Sequence, residues 1–289
     1  YSNLWCYDLQ NGATSCLTED AYDIASPAWS QGNRHCSFAA DGRTLYFVRS
    51  ENIQRRAYAL DMASGVSFGV AALADYSHVE QLTAAPRGKG LAAIAAERSI
   101  PARIVAGTAA KSEIRGRSHS ESLAAADLAA AEAVTWTAKN LTSVHGLYYP
   151  PANGRYCGRG RPPLIVMIHG GPTSSAETGF EPKNQFFATR GWAVLDVNYR
   201  GSTGHGRTYM KALRGNWGIL DVEDAIGGAQ YLCDQGLADP DRLVIMGGSA
   251  GGYTVLRALT VRPGFFRAGL CLYGIANLFT LATDTHKFE

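Results

Sequence analysis

The sequence predicts an α/β protein in two parts, an α/β domain over residues 133–289 and, before it, a domain of short strands over residues 1–132. The C-terminal part alternates apolar strands with helical segments, which implies a parallel sheet covered by helices on both faces. The N-terminal part runs through short strands and tight turns, a pattern typical of a β-sandwich or a β-propeller. A glycine-rich turn with a serine at its centre lies between a strand and a helix of the C-terminal part, and it narrows the choice among α/β folds.

Short strands follow one another through the N-terminal part. Predicted strands are Trp5–Leu9, Ala13–Leu17, Thr44–Arg49 and Tyr58–Met62. The first two flank an Asn11-Gly12 turn signal, so they predict a hairpin in which Cys6 and Cys16 could face each other as a disulfide or remain ordinary thiols. An alanine-rich run, Leu123–Ala133, fits a helix or a strand equally well.

The C-terminal part begins with an antiparallel hairpin and continues with alternating strands and helices. Predicted strands are 134–139, 144–149, 164–168, 192–197, 243–246 and 268–272, and predicted helices are 185–189, a segment opening at 221 and 251–261. The helix opening at Asp221 has an apolar face at helical spacing, and Gly236 is placed to end it.

Residues 247–251 have the sequence GGSAG, which matches the G-x-S-x-G pattern of a nucleophile elbow. An apolar strand precedes the pattern and a helix follows it, as the elbow requires. The turn is so sharp that Ser249 must adopt strained backbone angles, and side chains two positions before or after it would collide with neighbouring backbone. The sequence therefore predicts an α/β-hydrolase domain with Ser249 as its nucleophile.

An oxyanion hole is predicted from two backbone amides. One is the amide of Ala250, directly after the nucleophile, and the other lies in the loop HGGP at residues 169–172. Small residues let a substrate carbonyl approach the backbone, so Gly171 is the expected second donor. His169 precedes the nucleophile, whereas the catalytic histidine of this fold follows it. We therefore expect His169 to orient the loop.

Five motifs occur in a fixed order: HGGP at 169–172, NYRGSTG at 198–204, NWG at 216–218 followed by Asp221-Val222, DPDR at 239–242 and GGSAGGY at 247–253. Together they resemble the catalytic domain of the prolyl oligopeptidase family, above all its acylaminoacyl-peptidase and dipeptidyl-peptidase branch. The resemblance implies a serine peptidase that cleaves short peptides. It leaves two interpretations for Tyr199 and Arg200, which either contact substrate or brace their loop.

The N-terminal part carries a weaker resemblance to the propeller of the same enzymes. Residues 26–30 and 40–47 resemble its blade repeat, but they lie closer together than whole blades should. Either a blade is irregular or sequence is missing between them. The resemblance implies part of a β-propeller that excludes folded proteins from the peptidase.

A serine nucleophile needs a histidine base oriented by a carboxylate. After Ser249 the sequence offers Asp284 and His286 in that order, but they lie too close together to come from two different strand ends. We therefore expect the α/β-hydrolase domain to be truncated at its C-terminus, with the catalytic Asp and His beyond Glu289. We likewise expect the chain to be cut at its N-terminus.

Composition limits the other classes of function. The net charge of +2 gives no electrostatic case for nucleic acid or an anionic membrane, and the basic residues Arg155, Arg159 and Arg161 are expected to lie in a solvated loop. No P-loop, dinucleotide motif or zinc-ligand spacing is present, so neither cofactor nor metal is expected. Cytoplasm is the default compartment, and homo-oligomerisation, the peptide bond preferred and the mode of release are left open.

Two other functions fit parts of the sequence. A carboxylesterase uses the same elbow and oxyanion loop, and a propeller-bearing interaction protein could carry a degenerate hydrolase domain. The propeller-like strands and the NYRGS segment argue against the first, and the intact elbow argues against the second.

Overall fold

The computed structural model describes residues 2–19, 21–24, 26, 31–51 and 53–285. Pro27–Ser30, which belong to one of the two blade-like stretches, and His286 lie outside these residues. The chain divides into two compact units. The first comprises Tyr1–Ser122, Glu177–Glu181 and Thr203–Arg207, and the second comprises Leu123–Ala176, Pro182–Ser202 and Thr208–Glu289.

Short antiparallel strands build the described part of the first unit. They are β1 (Trp5–Tyr7), β2 (Thr14–Cys16), β3 (Cys36–Phe38), β4 (Thr44–Glu51), β5 (Gln54–Asp61), β6 (Ser67–Gly69), β7 (His78–Ala84), β8 (Leu91–Glu97), β9 (Ile100–Gly107) and β10 (Ser112–Arg117). Strands β3–β6 form one four-stranded antiparallel meander and β7–β10 form a second. Four-stranded antiparallel sheets are the units from which β-propellers are built, so the two meanders agree with the propeller part of the predicted fold.

The turn between β3 and β4 contains the second blade-like stretch. Asp41 accepts hydrogen bonds from the backbone amides of Arg43 (2.8 Å) and Thr44 (3.0 Å), and Gly42 adopts a positive φ of 65°. These contacts explain why Asp41 and Gly42 occupy this turn, because an Asp side chain can bond nearby backbone amides and glycine tolerates positive φ.

The predicted hairpin of β1 and β2 is present, but its register does not pair the two cysteines. Cys6 lies opposite Ser15 and Cys16 lies opposite Trp5. Both cysteines are free thiols, so of the two alternatives the structure has the thiols.

A six-stranded sheet forms the centre of the second unit. Its strands are β11 (Glu132–Thr137), β12 (Ser143–Tyr149), β13 (Leu164–Ile168), β14 (Ala193–Asn198), β15 (Leu243–Gly248) and β16 (Ala268–Leu272), in the spatial order β11-β12-β14-β13-β15-β16. The β11–β12 and β12–β14 pairs are antiparallel, and the other pairs are parallel. Leu164, Val166, Leu195 and Ile245 are fully buried. The predicted sheet, including its antiparallel entry hairpin, is confirmed.

The helices described are α1 (Pro182–Ala188), α2 (Arg207–Lys211), α3 (Leu220–Asp234), α4 (Ala250–Val261) and α5 (Leu278–Asp284). Helix α3 buries Val222, Ala229 and Cys233 on its sheet-facing side. It ends just before Gly236, whose φ is 74°, as glycine after a helix end predicts. None of the helices in the described residues is long and apolar enough to cross a bilayer.

The alanine-rich run is neither one helix nor one strand. It contains a 3₁₀ turn at Ala125–Asp127, and β11 begins at Glu132. Ala129 donates its amide to Oε1 of Gln185 (2.8 Å) and accepts from Nε2 of the same side chain (2.9 Å). Because Gln185 belongs to α1, these bonds attach the run to the second unit, and the compact units separate at 122/123.

Candidate active site

Ser249 occupies the junction between β15, which ends at Gly248, and α4, which begins at Ala250. Its backbone angles are φ 54° and ψ −122°. A positive φ is strained for any residue with a Cβ and persists only where the surroundings enforce it. The strand–turn–helix context predicted from GGSAG is therefore present, and Ser249 lies at the electropositive N-terminal end of α4.

The glycines that flank Ser249 are required by close backbone contacts. A Cβ on Gly247 would lie 2.6 Å from the carbonyl oxygen of Gly251, and a Cβ on Gly251 would lie 2.3 Å from the carbonyl oxygen of Ile168. No real side chain tolerates these distances. The collisions expected from the sequence are thus present, and the Gly251 contact joins the elbow to the end of β13.

The HGGP loop leaves the sheet beside the elbow. Strands β13 and β15 are parallel neighbours, with Ile168 opposite Gly247, so the residues after each strand emerge side by side. The Cβ position of Gly170 lies 3.2 Å from the carbonyl oxygen of Gly248 and 3.4 Å from Cβ of Ser249. Gly171 has φ 125°. The structure therefore brings the loop with one expected oxyanion donor, Gly171, against the nucleophile.

Ala250, the other expected donor, is 2% exposed and is the first residue of α4. Its amide belongs to the first turn of a helix, where backbone N–H groups lack intrahelical acceptors. An N–H in this position is available to an external oxygen, as an oxyanion hole requires.

Both ring nitrogens of His169 have hydrogen-bond partners. Its Nδ1 lies 2.8 Å from the carbonyl oxygen of Gly170, and its Nε2 lies 2.7 Å from Oγ of Ser202. Burial lowers the pKa of the His169 imidazole to about 4, so the ring is neutral near pH 7. Neither nitrogen is directed to Ser249, which supports the orienting role expected for this residue.

Tyr199 is 1% exposed and braces the same loop. Its ring stacks on His169 with centroids 4.3 Å apart. Its hydroxyl lies 3.1 Å from the carbonyl oxygen of Pro172 and 3.2 Å from that of His169. Burial, with Asp221 nearby, raises the pKa of Tyr199 well above its usual value, so the hydroxyl keeps its proton and acts as a donor.

Arg200 is 2% exposed and lies in an ion-pair network. The guanidinium contacts Asp224 at 2.7 Å, Glu223 at 3.0 Å and Oδ1 of Asn140 at 3.2 Å. Burial alone would lower the pKa of Arg200, but its bonds to Asp224 and Glu223 raise it. Of the two interpretations left open for Tyr199 and Arg200, the contacts favour bracing over direct contact with substrate.

Asp221, named from the sequence only as the residue where a helix opens and as part of a motif, has a more specific position. It is fully buried and accepts hydrogen bonds from the amide of Gly218 (2.6 Å) and from Oγ1 of Thr254 (2.5 Å). Thr254 belongs to α4, so this carboxylate ties the start of α3 to the elbow helix. Burial raises the pKa of Asp221. In the sequence, the NWG motif followed by Asp221 was the signal available for this position.

Tyr273 lies beside the elbow and was not predicted from the sequence. It follows β16 with φ 40°, and a Cβ on Gly248 would lie 2.8 Å from its ring. The side chain is 84% exposed, and the amide of Ser249 bonds the carbonyl oxygen of the preceding Leu272 at 3.1 Å. An isolated Tyr after a strand gives no sequence signal for such a position.

A base for Ser249 is not assigned by the described residues. Its hydroxyl makes no hydrogen bond to a histidine in the part of the chain that the structure covers. Asp284, at the end of α5, is exposed and bonds only its neighbour Thr283 among described residues. The same residues contain no group of three or more His, Cys, Asp or Glu that could hold a metal ion.

Comparison with known proteins gives consistent matches. Residues 178–289 match the model of the prolyl oligopeptidase family. The chain is 43% identical over 126 residues to dipeptidyl aminopeptidase BIII of Pseudoxanthomonas mexicana. The match covers 44% of this chain and 18% of that protein. The chain is 34% identical over 123 residues to the human acylamino-acid-releasing enzyme, covering 43% of this chain and 17% of that enzyme.

Solved structures match nearly the whole chain. A puromycin-hydrolyzing peptidase of Mycobacterium tuberculosis superimposes with a TM-score of 0.92 at 34% identity, covering 99% of this chain and 43% of that one. An acylaminoacyl peptidase superimposes with a TM-score of 0.76 at 21% identity, which shows a shared fold. The chain thus spans less than half of the length of these proteins.

Proposed function

We propose that the protein is a serine peptidase of the prolyl oligopeptidase family, whose model residues 178–289 match, and that it hydrolyses short peptides through an acyl-enzyme on Ser249. The observation that carries the proposal is the strained elbow. Ser249 sits at φ 54° between β15 and α4, with Gly170 of the HGGP loop directly against it. A backbone held in that conformation beside a loop of small residues fits a nucleophile next to an oxyanion hole.

The proposed reaction begins with attack of Ser249 Oγ on the carbonyl carbon of the peptide bond, while a general base accepts the hydroxyl proton. The carbonyl oxygen becomes an oxyanion and accepts hydrogen bonds from the amides of Ala250 and Gly171. The C–N bond then breaks, the amine leaves with the proton returned by the base, and the acyl group remains on Ser249. Water hydrolyses this ester and releases the acid product.

Positioning is the proposed role of Tyr199 and Arg200. Tyr199 fixes the loop that carries Gly171 through its bond to the Pro172 carbonyl oxygen. Arg200 fixes the following loop against the start of α3 through Asp224. Small displacements of an oxyanion donor cost much of its effect, so a rigid support of this kind is consistent with catalysis.

The names of similar proteins support a proposal for the substrate class. One is a dipeptidyl aminopeptidase, another releases acylated amino acids and a third hydrolyses puromycin. We therefore propose that the peptidase removes a short unit from the N-terminal end of a small substrate, and we retain both dipeptidyl and acylaminoacyl release.

The proposal is tested with three substrates on the intact protein. An N-acetylalanyl anilide tests acylaminoacyl release, a dipeptidyl anilide with a free amino group tests dipeptidyl release, and p-nitrophenyl acetate tests simple ester hydrolysis. Ser249→Ala should abolish anilide hydrolysis, whereas Ser120→Ala, at an exposed serine, should not change it. Hydrolysis of the ester alone would indicate a carboxylesterase. Absence of turnover on all three would favour a non-catalytic binding role.

A further inference from the structure

A wide cleft lies at the edge of the second unit's sheet opposite the elbow. Its volume is about 920 Å³. Its lining includes Pro163, Gly191 and Arg242. Pro163 and Arg242 directly precede β13 and β15, and Gly191 lies two residues before β14. Ser249 follows the carboxyl end of β15, so this cleft is separate from the candidate active site.

The lining is strongly basic. Arg159, Arg161, Arg190 and Arg242 line the cleft, and no Asp or Glu does. Among the described residues Arg242 alone of the four has a carboxylate partner, Asp239, at 2.7 Å. Four arginines and no carboxylate therefore line a shared space, an arrangement whose mutual repulsion an anion would relieve.

Two of the four arginines, Arg190 and Arg242, are held by contacts with neighbouring residues. Arg242 donates to the carbonyl oxygen of Arg161 at 2.6 Å, which fixes one end of the basic loop, residues 155–161. Arg190 donates to the carbonyl oxygen of Phe186 at 2.9 Å, and its guanidinium carbon lies 3.8 Å from the centre of the Phe186 ring. Two of the four cationic groups are thus preorganised, which lowers the entropic cost of binding a ligand.

Asn153 ties the basic loop to the segment after α1. Its Nδ2 donates to the carbonyl oxygen of Thr189 at 2.9 Å, while its Oδ1 accepts from the amides of Arg155 (2.9 Å) and Tyr156 (3.2 Å). Because residues 156–161 also line the cleft, the loop is part of its wall. The solvated loop expected from the sequence is exposed, as predicted, but it also encloses a cavity.

We propose that this cleft binds a small molecule that carries two or more phosphate or carboxylate groups. Guanidinium groups pair with both kinds of oxyanion in bidentate geometry. The volume is within the range of small-molecule sites, roughly 300–1,000 Å³, and exceeds the space that one phosphate needs. The exposed ring of Tyr156 and the side chain of Pro151 supply an apolar wall for the organic part of the ligand.

Isothermal titration of the intact protein with sodium pyrophosphate, and separately with citrate, tests this site. The double variant Arg159→Ala, Arg161→Ala should bind at least tenfold more weakly, because each charge-assisted hydrogen bond contributes at least that factor. The matched control, Arg87→Ala with Arg214→Ala, makes the same change in net charge at exposed arginines outside the cleft. It should bind as the unmodified protein does.

Each result has a defined meaning. Binding of pyrophosphate alone supports a phosphate ligand, binding of citrate alone supports a carboxylate ligand, and binding of both supports the shared chemistry. Binding of neither, or equal weakening in the control pair, would overturn the proposal. Hydrogen exchange of amides 153–161 in the unmodified protein gives a test without substitution: whichever of the two anions binds should slow it, and unchanged exchange at saturation with that anion would also overturn the proposal. Peptidase activity is not part of either measurement.

Discussion

Oγ of Ser202 lies 2.7 Å from Nε2 of His169, while Nδ1 of the same ring lies 2.8 Å from the carbonyl oxygen of Gly170. A carbonyl oxygen can only accept, so Nδ1 carries the proton and Nε2 accepts from the Ser202 hydroxyl. His169 is therefore a neutral tautomer that connects the HGGP loop to the NYRGS loop.

Ser202→Ala should reduce kcat about tenfold with little change in KM, because it leaves a buried ring nitrogen without its donor. The loss acts on the oxyanion donors and only indirectly on substrate binding. Steady-state kinetics on the anilide substrates measures it, with Ser120→Ala as the control. An unchanged kcat, or a change in KM alone, would contradict the orienting role of His169.

Gly251→Ala should destabilise the protein by about 2–3 kcal/mol, as expected for overpacking, because its Cβ would lie 2.3 Å from the Ile168 carbonyl oxygen. Gly69→Ala is the matched control, since a Cβ there meets nothing within 4 Å. Urea unfolding of both variants gives the comparison. Equal stability of the two variants would show that the elbow accommodates a side chain at residue 251.

Arg200→Ala should destabilise by about 3–5 kcal/mol, because it leaves the buried carboxylate of Asp224 without its cation. The double variant Arg200→Met, Asp224→Asn should recover much of this loss, since neither charge of the pair then remains and the Asn oxygen can still accept from the backbone amide of residue 200, as Asp224 does at 2.7 Å. Glu223 keeps Lys139 as a partner at 3.3 Å in both variants. If the double variant is as unstable as Arg200→Ala, the ion pair is not the cause of the loss.

Sequence reasoning predicts the parts of this fold that depend on local patterns. Continuous apolar runs locate β13 and β16 to the residue, and the GGSAG pattern places Ser249 at a strained elbow because only that geometry needs glycine on both sides. The DPDR turn is also explained locally: Asp239 pairs with Arg242 three residues later.

Contacts between distant segments are beyond such reasoning. The bond of Thr254 to Asp221 spans 33 residues, and the ring of Tyr273 beside Gly248 depends on the position of β16 in the sheet. The alanine-rich run has no local preference, and its attachment to Gln185 decides its structure. The burial of Arg200 is likewise fixed by Asp224, which lies on another element.

The stability of the first unit should depend on pH through His78. Its Nδ1 lies 3.1 Å from Glu177, and its Nε2 lies 3.9 Å from Glu80. Burial and Arg55 act to lower the pKa of His78, but the bonds to these two carboxylates raise it from 6.5 to about 9. A histidine pKa raised by folding contributes stability that is fully present below pH 6.5 and is lost as pH rises through 9.

Thermal unfolding of the intact protein between pH 6 and 10 measures this dependence, and two variants separate the contribution of His78 from that of other titrating groups. His78→Gln should flatten the fall in unfolding temperature above about pH 6.5. His119→Gln, at an exposed position, should retain it. The same slope in both variants would mean that another group causes the dependence.

The most direct measurement is mass spectrometry of the intact protein after reaction with a fluorophosphonate. We expect one covalent adduct on Ser249, no adduct in Ser249→Ala and an unchanged adduct in Ser120→Ala. An adduct on another residue, or no adduct on a folded protein, would contradict the assignment of Ser249 as the nucleophile.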